Sequence, residues 1–185
     1  MDSTLAPVFH YVLPSPALRA YVRQFRIVGC QFPTEVPLPV KLYWPRPENC
    51  LSFCPRDPER LADGLDGVPQ ASPASQLYGQ YVMPTTRYVG RDFLVFQVVF
   101  QPGVLPRLLG LPATLLVNQM VDSEAVLGAD IRRVNEQLAN TATARDMVAV
   151  VEAYLTRLVG RAPAAGPFER IGHLLLQRPA QVSVD

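Results

Sequence analysis

Lysine is almost missing from this sequence: Lys41 stands alone beside sixteen arginines, and the 17 cations meet 16 acids for a net charge of +1. A chain so balanced has no overall field with which to hold DNA or an anionic membrane. Arginine in place of lysine fits the codon bias of a GC-rich genome. Cysteine is scarce too, and three residues, an odd number, exclude a disulfide framework in a chain of 185 residues. Long apolar runs are absent. The longest, FLVFQVVF and LVNQMV, fall far below the roughly 20 residues of a membrane span. The N-terminus, MDSTLAPVFHYV, lacks the basic flank and apolar stretch of a signal peptide. A cytoplasmic, soluble protein with no membrane partner is expected.

Histidine occurs twice, as His10 and His173, with no H-x-H or C-x-x-C spacing, whereas a metal site needs three or four ligands. No metal is expected, and Cys50 and Cys54 are read as buried structural thiols. G-x-S-x-G, Walker and dinucleotide-binding motifs are all lacking. Catalytic residues and cofactors are therefore not expected. The carboxylate pairs Asp57/Glu59 and Asp63/Asp66 are read as solvated loop residues.

Proline, in contrast, is abundant, with 19 residues concentrated in positions 1–112. Aromatic and β-branched residues fill the same half between turn signals spaced about every ten residues, an all-β pattern. Strands are predicted in VRQFRIVGCQF, VKLYW (40–44), CLSFC (50–54), QLYGQYVM (76–83) and DFLVFQVVF (92–100), after a short helical turn in PSPALRAYV. VKLYW and CLSFC are expected to form a hairpin. Residues 55–75 read as a long surface loop.

After Pro112 the apolar period changes from 2 to 3.6. Ile131, Val134 and Leu138 share one helical face. A second helix starts at Thr143, with Asp146 as its capping partner, and ends at Gly160. Its stripe is Met147, Val150, Val151, Tyr154, Leu155 and Leu158, worth on the order of 10 kcal/mol if buried. That stripe must dock on the β half, on the other helix or on a second subunit. Met147, Val151, Tyr154 and Leu158 are the candidate dimer interface.

FLVFQVVF is apolar on both faces, with Gln97 the exception. A strand of that kind is covered on both sides, here by a barrel interior and by helices. A buried amide left unpaired costs roughly 1–3 kcal/mol, so Gln97 needs a neighbouring side chain, an ordered water or a ligand. Tyr43, Trp44, Phe53, Tyr78 and Tyr81 complete the candidate ligand set, since small-molecule pockets are mostly apolar with a few orienting polar groups. Alternation puts Tyr43 opposite Trp44 and Tyr78 opposite Tyr81. The same aromatics could instead build a dry core.

The run from Gly79 to Leu158 resembles the N-terminal sensory region of AraC/XylS-type transcriptional regulators. The likeness rests on a Phe-x-Pro-Gly turn (Phe100, Pro102, Gly103), a Leu-Leu-Gly-x-Pro segment (Leu108, Leu109, Gly110, Pro112), and Asp122 followed by Leu127 and Gly128. Pro47, Glu48 and Asn49 before CLSF match a Pro-acid-small turn, with Asn49 in the place of glycine. Gln101 stands where the family carries arginine. The resemblance implies an α+β fold, a cupin-like small β-barrel over residues 8–101 followed by packed α-helices. It implies a ligand-sensing and dimerisation domain at 1–162 (barrel 1–103, helices 104–160). Residues 167–185 would begin a truncated helix-turn-helix DNA-binding domain. It further implies a homodimer, an unidentified small-molecule effector, and DNA contact only through a missing C-terminal part. A stand-alone cupin-like binding protein or enzyme is the alternative, and a filled barrel that only dimerises is a third.

Overall fold

Asp92–Phe100, the two-sided apolar run, forms a nine-residue strand that pairs on both edges. In the computed structural model, which describes residues 8–177, the strands are β1 (Val8–Val12), β2 (Val22–Gln31), β3 (Val40–Tyr43), β4 (Cys50–Phe53), β5 (Arg60–Asp63), β6 (Gln70–Ala71), β7 (Ser75–Tyr78), β8 (Thr85–Tyr88), β9 (Asp92–Phe100) and β10 (Met120–Asp122). The helices are α1 (Val104–Leu109), α2 (Ser123–Leu127), α3 (Ala129–Ala139), α4 (Ala144–Val159) and α5 (Pro167–Gln177). All pairing is antiparallel. It forms a six-stranded sheet in the order β1-β2-β9-β4-β7-β10 and a four-stranded sheet in the order β3-β8-β5-β6. The fold is therefore mixed α+β. The pairing ends at edge strands in both sheets, so among the described residues no closed barrel forms.

Three strand expectations fail, each for a local reason. β3 and β4 are not a hairpin. Pro45 and Pro47 cannot donate to a ladder, and β3 crosses to pair with β8 while β4 lies between β9 and β7. Residues 55–75 are not a free loop. They contain β5 and β6, and Leu61 and Ala62 are buried. The predicted strand 76–83 stops at Tyr78. A Cβ on Gly79 would fall 1.6 Å from the Leu116 carbonyl oxygen, so the chain turns there beneath a short 3-10 turn at Ala113–Leu116.

β9 splits its two faces as alternation requires. Leu94, Phe96, Val98 and Phe100 face the helices, where Phe96 packs on Phe25 at 5.5 Å and on Phe53 edge-on at 6.3 Å. Ile131, Val134 and Leu138 of α3 close that core. Thr143 caps α4 by accepting from the Asp146 N–H at 3.1 Å. Met147, Val151 and Tyr154 are buried against this same core, and Leu158 packs on it. The stripe expected at a dimer interface is thus spent within the chain.

The Pro-Gly turn after β9 delivers the chain to α1, and glycines bracket that helix. Gly103 (φ 79°) precedes it and Gly110 (φ 65°) ends it, both in the left-handed region where only glycine is unstrained. α5 sits on that turn. A Cβ on Gly172 would lie 2.6 Å from Pro102, and Glu169 pairs with Arg107 at 2.5 Å. Residues 178–185, the rest of the expected helix-turn-helix start, lie outside the described residues. No helix among the described residues is long and apolar enough to cross a membrane.

Candidate functional site

The other face of β9, with Phe93, Val95, Gln97 and Val99, looks toward the four-stranded sheet. Strand register sets Arg26 of β2 opposite Gln97, Gln97 opposite Ser52 of β4, and Ser52 opposite Gln76 of β7. Paired residues in a ladder point to the same side, so these four make one polar row across the inner face of the large sheet. The next row is Val99, Cys50 and Tyr78. A mostly apolar sheet has therefore been given a hydrophilic stripe at its centre.

From the small sheet, Arg87 of β8 reaches into this space. Its guanidinium lies between the rings of Tyr43 (4.7 Å) and Tyr78 (4.8 Å) and donates to Glu59 at 3.2 Å. Burial pulls the Arg87 pKa down, but Tyr78, Glu59 and Tyr43 outweigh it and leave it raised. At the other end Arg26 donates to Glu48 at 2.7 Å and Arg23 to the same oxygen at 3.1 Å. Burial pushes the Glu48 carboxyl up, yet the hydrogen bond and charge of Arg26, with Arg23 and Arg46, hold it below its ordinary range. Burial raises the phenols of Tyr43, Tyr78 and Tyr81, so all three keep their protons at neutral pH.

Between these groups lies a cavity of about 90 Å³, walled by Tyr43, Trp44, Tyr78, Tyr81, Gln97 and the arginines 26, 46 and 87. Five of the six sequence-predicted ligand residues meet there. Phe53 does not: β4 alternation turns it to the helical core, where it is 1% exposed. Two predicted exclusions also fail. β3 ends at Tyr43 and β7 at Tyr78, so alternation no longer governs Trp44 or Tyr81, and each joins its neighbour at the cavity. Tyr78 and Tyr81 stand 6.3 Å apart.

Several members escaped sequence reasoning. Glu59, read as a solvated loop acid, is 1% exposed. Arg87 carried one available signal, the β-branched pair Thr85-Thr86 between Pro84 and Gly90, which marks a short strand. Ser52 and Gln76 are visible only once the register is known. Four buried polar atoms about this space have no partner among the described residues: Ser52 Oγ, Gln76 Oε1, Tyr78 Oη and Arg87 Nε. Unpaired buried groups of this kind cost roughly 1–3 kcal/mol each, which is a reason for their places to be filled by something else. Cys50 and Cys54 are buried nearby. Among the described residues no three His, Cys, Asp or Glu come together as a metal-binding group.

A family model described as a domain of unknown function (DUF6597) matches residues 10–122. No curated protein matches the chain. Among solved structures, the AraC-like transcriptional activator CuxR is similar at 13% identity, over 86% of this chain and 62% of that one, with a TM-score of 0.36. Fe(II)-HppE with the alternative substrate (S)-1-HPP is similar at 12% identity, over 54% and 52%, with a TM-score of 0.35. CoII HppE in complex with Tris buffer is similar at 14% identity, over 54% and 56%, also at 0.35. The match spans less than two thirds of the length of each of those chains.

Proposed function

Since the chain belongs to the DUF6597 family, whose description assigns no activity, we propose from its own residues that it is an effector-binding domain of an AraC-type regulator. The observation that carries the reading is the cavity between the sheets: aromatic walls, a polar row beneath, and buried polar atoms without partners. Binding rather than bond-making is the role that fits such a wall. The order of the Phe-x-Pro-Gly, Leu-Leu-Gly-x-Pro and Asp…Leu-Gly segments supports the regulatory assignment. Two of those segments supply the left-handed glycines that start and end α1.

In this reading the chain works as a cytoplasmic homodimer, α5 opens the DNA-binding part, and DNA is read by helix-turn-helix helices that follow it. The dimer uses surfaces other than Met147, Val151, Tyr154 and Leu158, which the core covers. An effector between the sheets biases two arrangements of the helices, because a ligand shifts an equilibrium only by its differential affinity for the two states. The output runs from Gln97 along β9 to the Pro102-Gly103 turn and α5.

Thermal unfolding against a metabolite panel tests the site. A ligand at 100 times its dissociation constant stabilises by about 2.7 kcal/mol, and Gln97→Leu is expected to abolish that gain while leaving the free protein folded. A shift that survives Gln97→Leu unchanged, or no shift with any compound, refutes the reading.

A further inference from the structure

The chemistry of the cavity narrows what it can take, on the premise of the ligand-site reading above. Its wall sets Arg26, Arg46 and Arg87 against Glu48. Adding Glu59 behind Arg87 and Arg23 beside Glu48 gives four cations and two anions, a net charge of +2. Glu48 is already engaged by two arginines, so the free electrostatic capacity is for an anion.

The unpartnered groups at the wall agree with that. Arg87 Nε can only donate a hydrogen bond. Tyr78 Oη, on a side chain 4% exposed, keeps its proton and has no partner among the described residues. Gln97 adds an amide from the polar row. A desolvated anion that takes these donors gains charge-assisted bonds, the strong kind. The wall also carries the rings of Tyr43, Trp44 and Tyr81. A bare inorganic oxyanion makes no use of those rings, whereas an organic acid uses both halves. The volume of about 90 Å³ is well below the roughly 300–1,000 Å³ of pockets for drug-sized ligands, so the acid is small.

We infer that this cavity binds a small organic carboxylate, with the carboxylate on Arg87 Nε and Tyr78 Oη and the apolar body against the rings of Tyr43, Tyr81 and Trp44. The experiment is calorimetric titration and thermal shift of the 185-residue chain at fixed ionic strength. The probes are butanoate and benzoate, their matched amides butanamide and benzamide, and inorganic phosphate. At least one acid is expected to bind, its amide at least tenfold more weakly, and phosphate no better than chloride. Tyr78→Phe keeps the ring and removes only the hydroxyl. It is expected to weaken the acid about tenfold or more while the free protein melts no earlier than wild type, which separates lost binding from lost folding.

Equal binding of acid and amide overturns the anionic assignment and leaves the ligand site standing. Equal binding of phosphate and acid overturns the carboxylate with an apolar body. A neutral compound that binds in a Gln97-dependent way, with no acid binding, also overturns the inference alone. No binding by any compound brings down the ligand-site reading, and this inference falls with it.

Discussion

Removing Glu59 isolates the central electrostatic claim. Arg87 is sandwiched between two tyrosine rings and its charge is matched by Glu59, whose side chain is 2% exposed at 3.2 Å. In Glu59→Ala the guanidinium stays buried with only the rings for company, and each ring returns about 0.5–2 kcal/mol. Breaking a buried pair from one side costs about 3–5 kcal/mol, because the surviving charge is left uncompensated. A domain of this size has about 5–15 kcal/mol in total, so the loss is a large share. With a urea dependence of about 2 kcal/mol per molar, the unfolding midpoint falls by about 1.5–2.5 M. Circular dichroism through a urea titration reads this directly. The double variant Glu59→Leu with Arg87→Met, which removes both charges, is expected to regain most of the loss. A single-variant shift below about 0.5 M, worth about 1 kcal/mol and typical of an exposed pair, would refute the buried-pair account. So would a double variant no better than the single one.

Glu48 sets an acid limit. Its carboxyl is depressed below 4.5, so its contribution is full above that pH and is lost as pH falls through the folded value. Glu48→Gln is expected to flatten the loss of stability as pH falls below about 4.5, and identical acid limbs would rule that out. Burial, with Glu48 near one and Glu59 near the other, pushes the Cys50 and Cys54 thiols up to about 12 from 9.0. Folded protein therefore keeps those protons where unfolded chain releases them, and stability drops as pH rises above about 9. At pH 8 a thiol reagent is expected to label Cys30, half-buried, well before the other two; three equal rates contradict it. Gly79→Ala, which drives a methyl into the Leu116 carbonyl, should cost upwards of 3 kcal/mol, above the usual 1–3 of overpacking. Gly110→Ala, left-handed but in open space, should cost only about 1–2 kcal/mol, and chemical denaturation compares the two.

Periodicity made the helices legible: Ile131, Val134 and Leu138, and the α4 stripe with its Thr143 cap, depend on local spacing that no distant contact rewrites. The two-sided character of β9 was equally plain, and from it followed the division between a helix-facing and a sheet-facing side. What stayed hidden depends on pairing between segments far apart. That VKLYW joins TTRY rather than CLSF follows from partners more than forty residues away, and the prolines at 45 and 47 only forbid the wrong answer. Most of the aromatics that line the cavity were legible because aromatics advertise themselves. Its charged half was missed because Glu59 sits in a Pro- and Asp-rich stretch that reads as solvated until β5 is seen to pair with β8. Phe53 was misplaced for want of a register. Tyr43 and Trp44 were wrongly separated because the end of a strand is not written in its alternation.

Gln97 and Gly103 belong to one uninterrupted piece of chain. From the amide beneath the cavity, three further residues of strand span about 10 Å to Phe100, and the Pro102-Gly103 bend follows, on which α5 leans with a clearance no side chain could enter. A hydrogen-bonded strand barely stretches. On the proposed reading, an effector that engages that amide works like a pull on a bell wire, felt at the seat of α5 with little slack to take it up.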